Sequence, residues 1–206
     1  MTYPTTLATT ELAAVNQILG AVGQAPVTTL DDTNPDIAIV YSTLQDTSRE
    51  VQGEGWSFNK EFEYPLQPDN NNEILLPNNV LSLELSDRPE NKGRDSVIRQ
   101  GKLYDKVAHS YSWTEFDTVY CDVVWQFDFV DIPQAIRDYI TARAASQVCI
   151  KTVGDGDLYN MLVQRESMAR SSALEYDCND GNYSIFGFPT GDNFYTSYQP
   201  YRALYR

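Results

Sequence analysis

A chain of 206 residues, 42% hydrophobic and 12% aromatic, has enough apolar side chains for a folded core, which excludes an intrinsically disordered acidic protein. Its formal net charge of -14 at pH 7 argues against specific binding to nucleic acid, because affinity for DNA comes mainly from cations placed on phosphates. No run of about 18 apolar residues occurs and the first residues lack a signal-peptide pattern, so we predict neither a membrane span nor a secretory leader.

Hydrophobic spacing predicts two helices near the start of the chain. Thr10 is a suitable cap for the first helix, and Gly20, Gly23 and Pro26 end it. The second begins at Asn34 and Pro35, a capping residue followed by a proline at the first helical position. Their predicted apolar stripes are Leu12, Val15, Ile18, Leu19 and Val22 in the first helix, and Ile37, Val40, Tyr41, Leu44, Ser48 and Val51 in the second.

The pattern then changes to the alternation that is typical of strands. We predict strands at 61–64, 73–76 and 80–85, and a tight hairpin whose arms 97–99 and 102–104 flank Gln100 and Gly101. Segment 87–95 is charged and is predicted to be a mobile loop. The strongest strand prediction is 119–129, with one apolar face made of Val119, Cys121, Val123, Trp125, Phe127 and Phe129.

Helical spacing returns after this strand. A third helix is predicted to open at Pro133 with Asp131 or Ile132 as its cap, and its stripe is Ile132, Ile136, Ile140, Ala144 and Val148, with Tyr139 beside it. A fourth helix is predicted at 157–176 with Asp157 as its cap, because the Asp155-Gly156-Asp157 motif has too few oxygen ligands for a calcium loop. Its predicted inner face is Leu158, Met161, Leu162, Met168, Ala169, Ser172, Ala173 and Tyr176.

These elements predict an α+β fold in which four helices form a bundle, an antiparallel β lobe is inserted, and an extended C-terminal tail follows. The predicted boundaries are 1–58 for the first helix pair, 59–130 for the lobe, 131–180 for the second pair and 181–206 for the tail. Trp56 and Phe58 stand where the second helix meets the first strand, so we expect both to fill the lobe junction rather than bind a ligand.

The tail is rich in aromatic residues and nearly free of charge. Its prolines and glycines prevent a long helix or strand, so a large apolar surface must dock on something. It carries +1, whereas the residues before it carry -15. Composition leaves open whether the tail folds back on its own domain or wraps a partner. The predicted portal-docking or subunit-docking residues are Tyr183, Phe186, Phe188, Phe194, Tyr195, Tyr198, Tyr201, Arg202, Tyr205 and Arg206.

The sequence offers little for catalysis. Phosphate-binding, dinucleotide-binding and nucleophile-elbow motifs are absent, and His109 is the single histidine. Cys121, Cys149 and Cys178 lack metal-ligand spacing, so we predict reduced thiols and no metal, cofactor or catalytic site. One enzymatic alternative stays open, a hydrolase of bacterial surface glycans. Its candidate carboxylates are Glu115 and Asp117, beside the aromatic side chains of Tyr111 and Trp113.

The order of several motifs resembles the tail tubular protein A family, the head-to-tail adaptors of short-tailed bacteriophages. The resemblance covers nearly the whole chain. It is carried by segments 11–20 and 23–30, the corner Gly55-Trp56-Ser57-Phe58-Asn59, the hairpin strand Lys102-Leu103-Tyr104-Asp105, and Asp131-Ile132-Pro133 with Ala145-Ser146-Gln147 in the helix that follows.

This resemblance implies a structural protein of the virion tail, made in the cytoplasm of the bacterial host, and not an enzyme. Twelve copies would form a ring between the portal protein and the tail nozzle protein. Tail fibres would attach near the boundary between adaptor and nozzle. The genomic DNA would pass through the ring without specific binding, which agrees with the acidic composition.

Overall fold

The computed structural model describes residues 10–30, 34–88 and 91–181. Within them the chain is α+β, as predicted. A 3₁₀ turn at Phe129–Asp131 precedes the third helix. In chain order the elements are α1 (Glu11–Ala21), α2 (Pro35–Gln52), β1 (Lys60–Leu66), β2 (Val80–Leu85), β3 (Ser96–Arg99), β4 (Lys102–Asp105), β5 (Val119–Trp125), α3 (Gln134–Thr152) and α4 (Gly156–Asp180).

The helix starts follow from side chains that accept the first free backbone N–H groups. The Thr10 hydroxyl accepts from the N–H of Ala13 at 3.3 Å, and the Asn34 carboxamide accepts from the N–H of Asp36 at 3.1 Å, which confirms both predicted caps.

The predicted starts of the other two helices are wrong by a residue or two. Pro133, and neither Asp131 nor Ile132, holds the N-cap position of α3, because Ile132 and Pro133 are both in extended conformation with ψ of 139° and 144°. Asp155, and not Asp157, caps α4. Its carboxylate accepts from the N–H of Asp157 at 2.9 Å and of Leu158 at 3.4 Å. The motif is therefore a helix start, as expected, and α4 then continues to Asp180.

Helix α3 is the centre of the helical part, because α1, α2 and α4 all contact it. Its predicted stripe is buried throughout, and side chains of all four helices join the same apolar cluster. Burial on this scale stabilises the fold by roughly 25 cal/mol for each Å² of apolar surface removed from water. The buried residues that α3 and its N-terminal approach contribute to the cluster are Ile132, Ile136, Tyr139, Ile140, Ala144, Ala145, Val148 and Cys149.

The lobe consists of a three-stranded antiparallel sheet in the order β1-β5-β2 and a separate β3–β4 hairpin. Central strand β5 places Cys121 opposite Tyr64 of β1 and Leu85 of β2. The hairpin turn is the predicted one. Gln100 and Gly101 have φ of 55° and 70°, and two positive φ values are typical of the tight turns that match strand twist. The second core of the molecule lies between this sheet and the hairpin.

Two strand predictions need correction. Segment 73–76 forms only an isolated bridge between Leu75 and Lys102, because Pro77 has no N–H with which to extend the pairing. The long strand ends at Trp125 and not at residue 129. After Trp125 the backbone of Phe127 bonds to the side chain of Gln52. The Gln52 carboxamide accepts from the N–H of Phe127 at 2.8 Å and donates to the C=O of Phe127 at 3.1 Å. Phe129 then joins the helical cluster.

The face of the three-stranded sheet that points away from the lobe core is not exposed at every position. Val124 is 7% exposed, although we expected its side of β5 to be polar. It lies beside Gly55, where a Cβ atom would come within 3.4 Å of the Val124 side chain. Gly55 also has a φ of +77°, which side chains rarely adopt, so this corner requires glycine.

The charged segment was predicted to be mobile, but the parts that the structure describes are held in place. The Asn91 carboxamide donates to the backbone C=O of Ser86 at 3.0 Å and of Tyr120 at 3.0 Å, and it is buried. The Arg88 guanidinium lies 3.7 Å from the ring centre of Tyr120 and forms an ion pair with Glu63 at 2.6 Å. The described parts of this segment, residues 87–88 and 91–95, therefore pack on the sheet.

Asp105 fixes the end of the hairpin from inside the lobe. Its side chain is fully buried and accepts from the backbone N–H groups of Val107 at 2.8 Å and Ala108 at 3.0 Å. Arg94 pairs with it at 2.7 Å. Burial alone would raise the pKa of Asp105, but the two N–H groups and the guanidinium outweigh burial and hold that pKa below its usual range.

The junction between helices and lobe is a set of buried hydrogen bonds around Trp56. The Trp56 indole N–H donates to the backbone C=O of Val51 at 2.7 Å, and its ring meets Tyr139 edge-on at 6.2 Å between centroids. The Asn59 carboxamide donates to the C=O of Gln52 at 2.9 Å and of Trp125 at 2.8 Å, and accepts from the N–H of Trp56 at 2.9 Å. One amide therefore ties the end of α2 to the end of β5.

Replacing Trp56 by alanine is expected to destabilise the subunit. The side chain is 3% exposed, and aromatic-to-alanine changes in a core cost about 3–5 kcal/mol. That is a large part of the roughly 5–15 kcal/mol that stabilises a typical domain. Chemical denaturation followed by circular dichroism measures the loss. An unchanged unfolding midpoint together with failed assembly would instead make Trp56 an interface residue.

Replacing Asp105 by asparagine is expected to lower the free energy of unfolding by about 1.5–3 kcal/mol at pH 7, the usual range for hydrogen bonds to a charged group. Since the folded-state pKa is lowered, the carboxylate contributes fully above the unfolded pKa of about 3.9 and loses its contribution as pH falls through the folded pKa.

Wild type and Asp105→Asn should therefore converge in strong acid, as judged by urea unfolding at a series of pH values. Asp117→Asn is the matched control, because Asp117 is exposed, and it should change stability by no more than about 0.5 kcal/mol. A difference between wild type and Asp105→Asn that stays constant down to the acid limit contradicts the role given to the carboxylate.

Candidate functional site

The predicted docking side chains of the tail lie outside the residues that the structure describes. They are Tyr183, Phe186, Phe188, Phe194, Tyr195, Tyr198, Tyr201, Arg202, Tyr205 and Arg206. The structure does show where the tail begins, because α4 ends at the lobe junction. The backbone N–H of Ser57 donates to the Asp177 carboxylate at 2.6 Å, and the Ser57 hydroxyl donates to Asp180 at 3.1 Å.

The two aromatic residues predicted for the lobe junction lie at this same corner. Trp56 is buried among the helices, as described above. Phe58 is half-buried and its ring lies 6.2 Å from that of Phe127, which packs against the helical cluster and the lobe cluster alike. Both rings pack against other side chains of the same chain.

A network of charged groups around Tyr139 braces α2, α3 and α4 against one another. The hydroxyl of the buried Tyr139 accepts from Arg143 of α3 at 2.8 Å and from Arg170 of α4. Arg143 pairs with Glu50 at 2.6 Å and Arg170 pairs with Glu54 at 2.9 Å. The hydrogen bond to Glu54, and then that to Tyr139, raises the pKa of Arg170. This flank of α4 is therefore occupied by contacts within the subunit.

The other flank of α4 is uncovered and apolar. Met161 is 67% exposed and Met168 is 72% exposed, so the prediction that both lie on the inner face is wrong. In a helix of 25 residues, Leu162 and Ala173 alone are fully buried, because α4 packs mainly on α3. A helix that keeps large apolar side chains in water on this scale is typical of an interaction surface. The spacing of Met161, Arg165 and Met168 places them on one face of α4. Only the position of α3 shows that this face is exposed.

A groove of about 390 Å³ adjoins this flank and runs between α1 and α4 with α3 as its floor. On the floor, α3 contributes the small side chains of Ala142 and Ala145, and the lining carries one charge of each sign, Asp138 of α3 and Arg165 of α4. Nothing in the sequence pattern marked this groove. The residues that line it are Gln17, Ala21, Asp138, Thr141, Ala142, Ala145, Arg165 and Ala169.

Three of the four candidate residues for glycan hydrolysis have other roles in the structure. Trp113 is 1% exposed and donates its indole N–H to the C=O of Leu103 at 3.0 Å, so it cannot form an open platform for a sugar. Glu115 forms an ion pair with Arg94, and the ring of Tyr111 packs edge-on against Tyr104 at 4.9 Å. Asp117 is exposed.

Two of the three cysteines are buried, and the single histidine lies at the surface. Cys121 and Cys149 are buried and Cys178 is exposed, all as free thiols. Burial, and then the charge of Asp122, raises the pKa of the Cys121 thiol to about 12, so it is unreactive at neutral pH. His109 lies exposed in a loop. Within the described ranges, no group of three or more His, Cys, Asp or Glu side chains is placed to hold a metal ion. No described helix is both long and apolar enough to cross a membrane.

Comparison with known proteins identifies the family to which this chain belongs. The family model described as "Tail tubular protein" matches residues 12–183, which is most of the chain. Tail tubular protein A of Klebsiella phage KP34 is 26% identical over 177 residues, covering 84% of this chain and 90% of that protein. The match includes all four helices and the lobe. The chain therefore belongs to the tail tubular protein family and is a structural component of a bacteriophage tail.

Proposed function

We propose that this protein is the ring-forming head-to-tail adaptor of a short-tailed phage. In this proposal twelve copies, made in the host cytoplasm, assemble between the portal protein and the tail nozzle protein and line the channel through which DNA leaves. Tail fibres attach near the boundary with the nozzle. The helical segments 1–58 and 131–180 act as one four-helix bundle and form the ring body, the lobe 59–130 projects from it, and residues 181–206 are the docking arm.

One observation carries this proposal, the uncovered apolar flank of α4 that leads directly into an aromatic tail. Met161 and Met168 expose most of their surface, and the eight aromatic residues of the tail follow the same helix in the chain. Large aromatic side chains with few rotamers are typical anchors of protein interfaces. A single subunit thus offers two apolar surfaces that favour assembly into a larger particle.

The distribution of charge supports a channel that does not hold DNA. Six of the 15 basic residues, four arginines and two lysines, already form ion pairs with carboxylates of the same chain. The charge of each of these cations is therefore partly neutralised within its own chain. The remaining surface has an excess of carboxylates, which repels the DNA backbone and lets it slide.

Removing the tail is expected to abolish docking without unfolding the subunit. A chain that ends at Asp180 keeps every described helix and strand, and keeps the contact of Ser57 with Asp180. We expect native circular dichroism, a melting temperature within a few degrees of wild type, and no co-sedimentation with purified portal.

A full-length variant with serine at Phe194, Tyr195, Tyr198, Tyr201 and Tyr205 tests whether the aromatic side chains, and not the length of the tail, make the contact. This variant should also fail to co-sediment with the portal. Substitution of Arg202 and Arg206 by glutamine tests the charged part of the contact. A truncated chain that still forms rings on the portal removes the arm from the proposal. A truncated chain that does not fold shows that the tail packs on its own helices.

The full-length protein is expected not to bind duplex DNA measurably at physiological salt. The reason is the net charge of -14 and the internal pairing of its cations. Fluorescence anisotropy with a labelled duplex at several salt concentrations measures this. Micromolar binding that weakens steeply with salt would show a cationic surface and would contradict a repulsive channel.

A further inference from the structure

We infer that neighbouring copies of this chain join by inserting the outer face of α2 from one copy into the groove between α1 and α4 of the next. This contact rests on the proposed ring and names the surfaces that build it. Neither the tail nor the portal takes part in it.

The receiving surface is the groove together with the uncovered flank of α4. Met161, Arg165 and Met168 are spaced four and three residues apart and lie on one face of α4, and Arg165 also lines the groove. The exposed Met161 and Met168 add apolar surface beside the groove. Ala142 and Ala145 on its floor have short side chains, so the backbone of a second helix can approach closely.

The inserting surface is the outer face of α2. Ile39, Ser42, Asp46 and Arg49 recur at spacings of three and four residues and are all exposed, which makes a single stripe along this helix. Ile39 is 39% exposed and is the apolar residue at the N-terminal end of the stripe, whereas the charged Asp46 and Arg49 lie towards its other end. The buried side of α2 is occupied by its own subunit, whereas this stripe has no helix against it within the described residues.

The groove and helix α2, which carries the stripe, lie on opposite sides of α3. Helix α3 turns Gln147 and Lys151 towards α2, where they contact Thr47 and Thr43. It turns Ala142 and Ala145 towards the groove. Each residue advances a helix by about 100°, so Ala145 and Gln147 point about 200° apart. Two different surfaces on opposite sides produce a head-to-tail contact, which closes into a ring when the rotation between copies allows it.

Charge complementarity favours a second copy as the occupant. Arg165 and Asp46 form no ion pair among the described residues, and neither does Arg49. The groove offers a cation and an anion, Arg165 and Asp138, and the stripe offers Asp46 and Arg49. Asp46 can therefore meet Arg165, and Arg49 can meet Asp138. Opposite charges across an interface fix orientation and exclude wrong partners.

The test uses full-length protein with charge reversals on each surface. Arg165→Glu and Asp46→Arg each replace an attraction by a repulsion at every contact of a ring. Each variant alone should need a protein concentration at least about tenfold higher for half-assembly, with or without portal, as measured by sedimentation velocity and negative-stain micrographs. In a one-to-one mixture of the two variants, each contact of an alternating ring again pairs opposite charges. The mixture should assemble within about threefold of wild type.

Matched controls and a second variant keep the result interpretable. Asn160→Glu adds a negative charge to α4 away from the groove, and Glu61→Arg makes a similar reversal on the lobe. Both should assemble as wild type does. Met168→Glu tests the apolar flank at a side chain that is 72% exposed, so it should fold normally and assemble poorly. Circular dichroism confirms folding of every variant.

Three outcomes are informative. Recovery in the mixture, with both single variants impaired, supports the contact. The contact is overturned if each single variant forms rings as readily as wild type does, or if the mixture assembles no better than the single variants. Either result leaves the adaptor proposal standing. A wild-type chain that does not self-associate even on the portal overturns the ring, and with it the proposed function.

Discussion

The architecture depends on one buried polar junction, where two side-chain amides connect backbone segments far apart in sequence. Asn59 joins the ends of α2 and β5, and Gln52 takes both backbone groups of Phe127. Buried backbone groups need partners, and a missing partner costs about 1–3 kcal/mol. Because these amides supply them, the chain can leave β5 and enter the helical part without exposing Trp56 or Phe129 to water. The lobe is thereby fixed to the helices at a defined position.

That fixed position determines what α4 can contact. The charged network of Tyr139, Arg143 and Arg170 holds one flank of α4 against the rest of the subunit, and Ser57 holds its last turn through Asp177. The opposite flank has no covering element among the described residues, and Met161 and Met168 stay in water. In an isolated monomer this arrangement leaves apolar side chains in water, where they add nothing to stability. Since the family forms part of a phage tail, we propose that this surface is used for assembly.

The electrostatics follow the same division between inside and outside. Cations such as Arg88, Arg94 and Arg143 pair with carboxylates of the same chain and brace loops and helices. Asp105 remains charged although its side chain is buried, because two backbone N–H groups and Arg94 compensate for the lost hydration. Carboxylates outnumber basic residues over the whole chain, and Arg165 and Arg49 are among the cations that form no ion pair among the described residues. We propose that the excess of negative charge repels DNA, and that Arg165 is available to a carboxylate of a second copy.

The sequence by itself determined the four helices, most of the strands, the caps at Thr10 and Asn34, the hairpin turn and the buried stripe of α3, since each depends on local propensity and periodicity. Motif order also indicated the family. Only the tertiary structure decided that β5 stops at Trp125, because the backbone of Phe127 beyond it bonds to the side chain of Gln52, 75 residues away. It alone decided which face of α4 is buried, because the helix is weakly amphipathic and the position of α3 chooses the side. The groove followed from the same cause: a surface between three helices depends on how they pack, and no single segment of sequence encodes it.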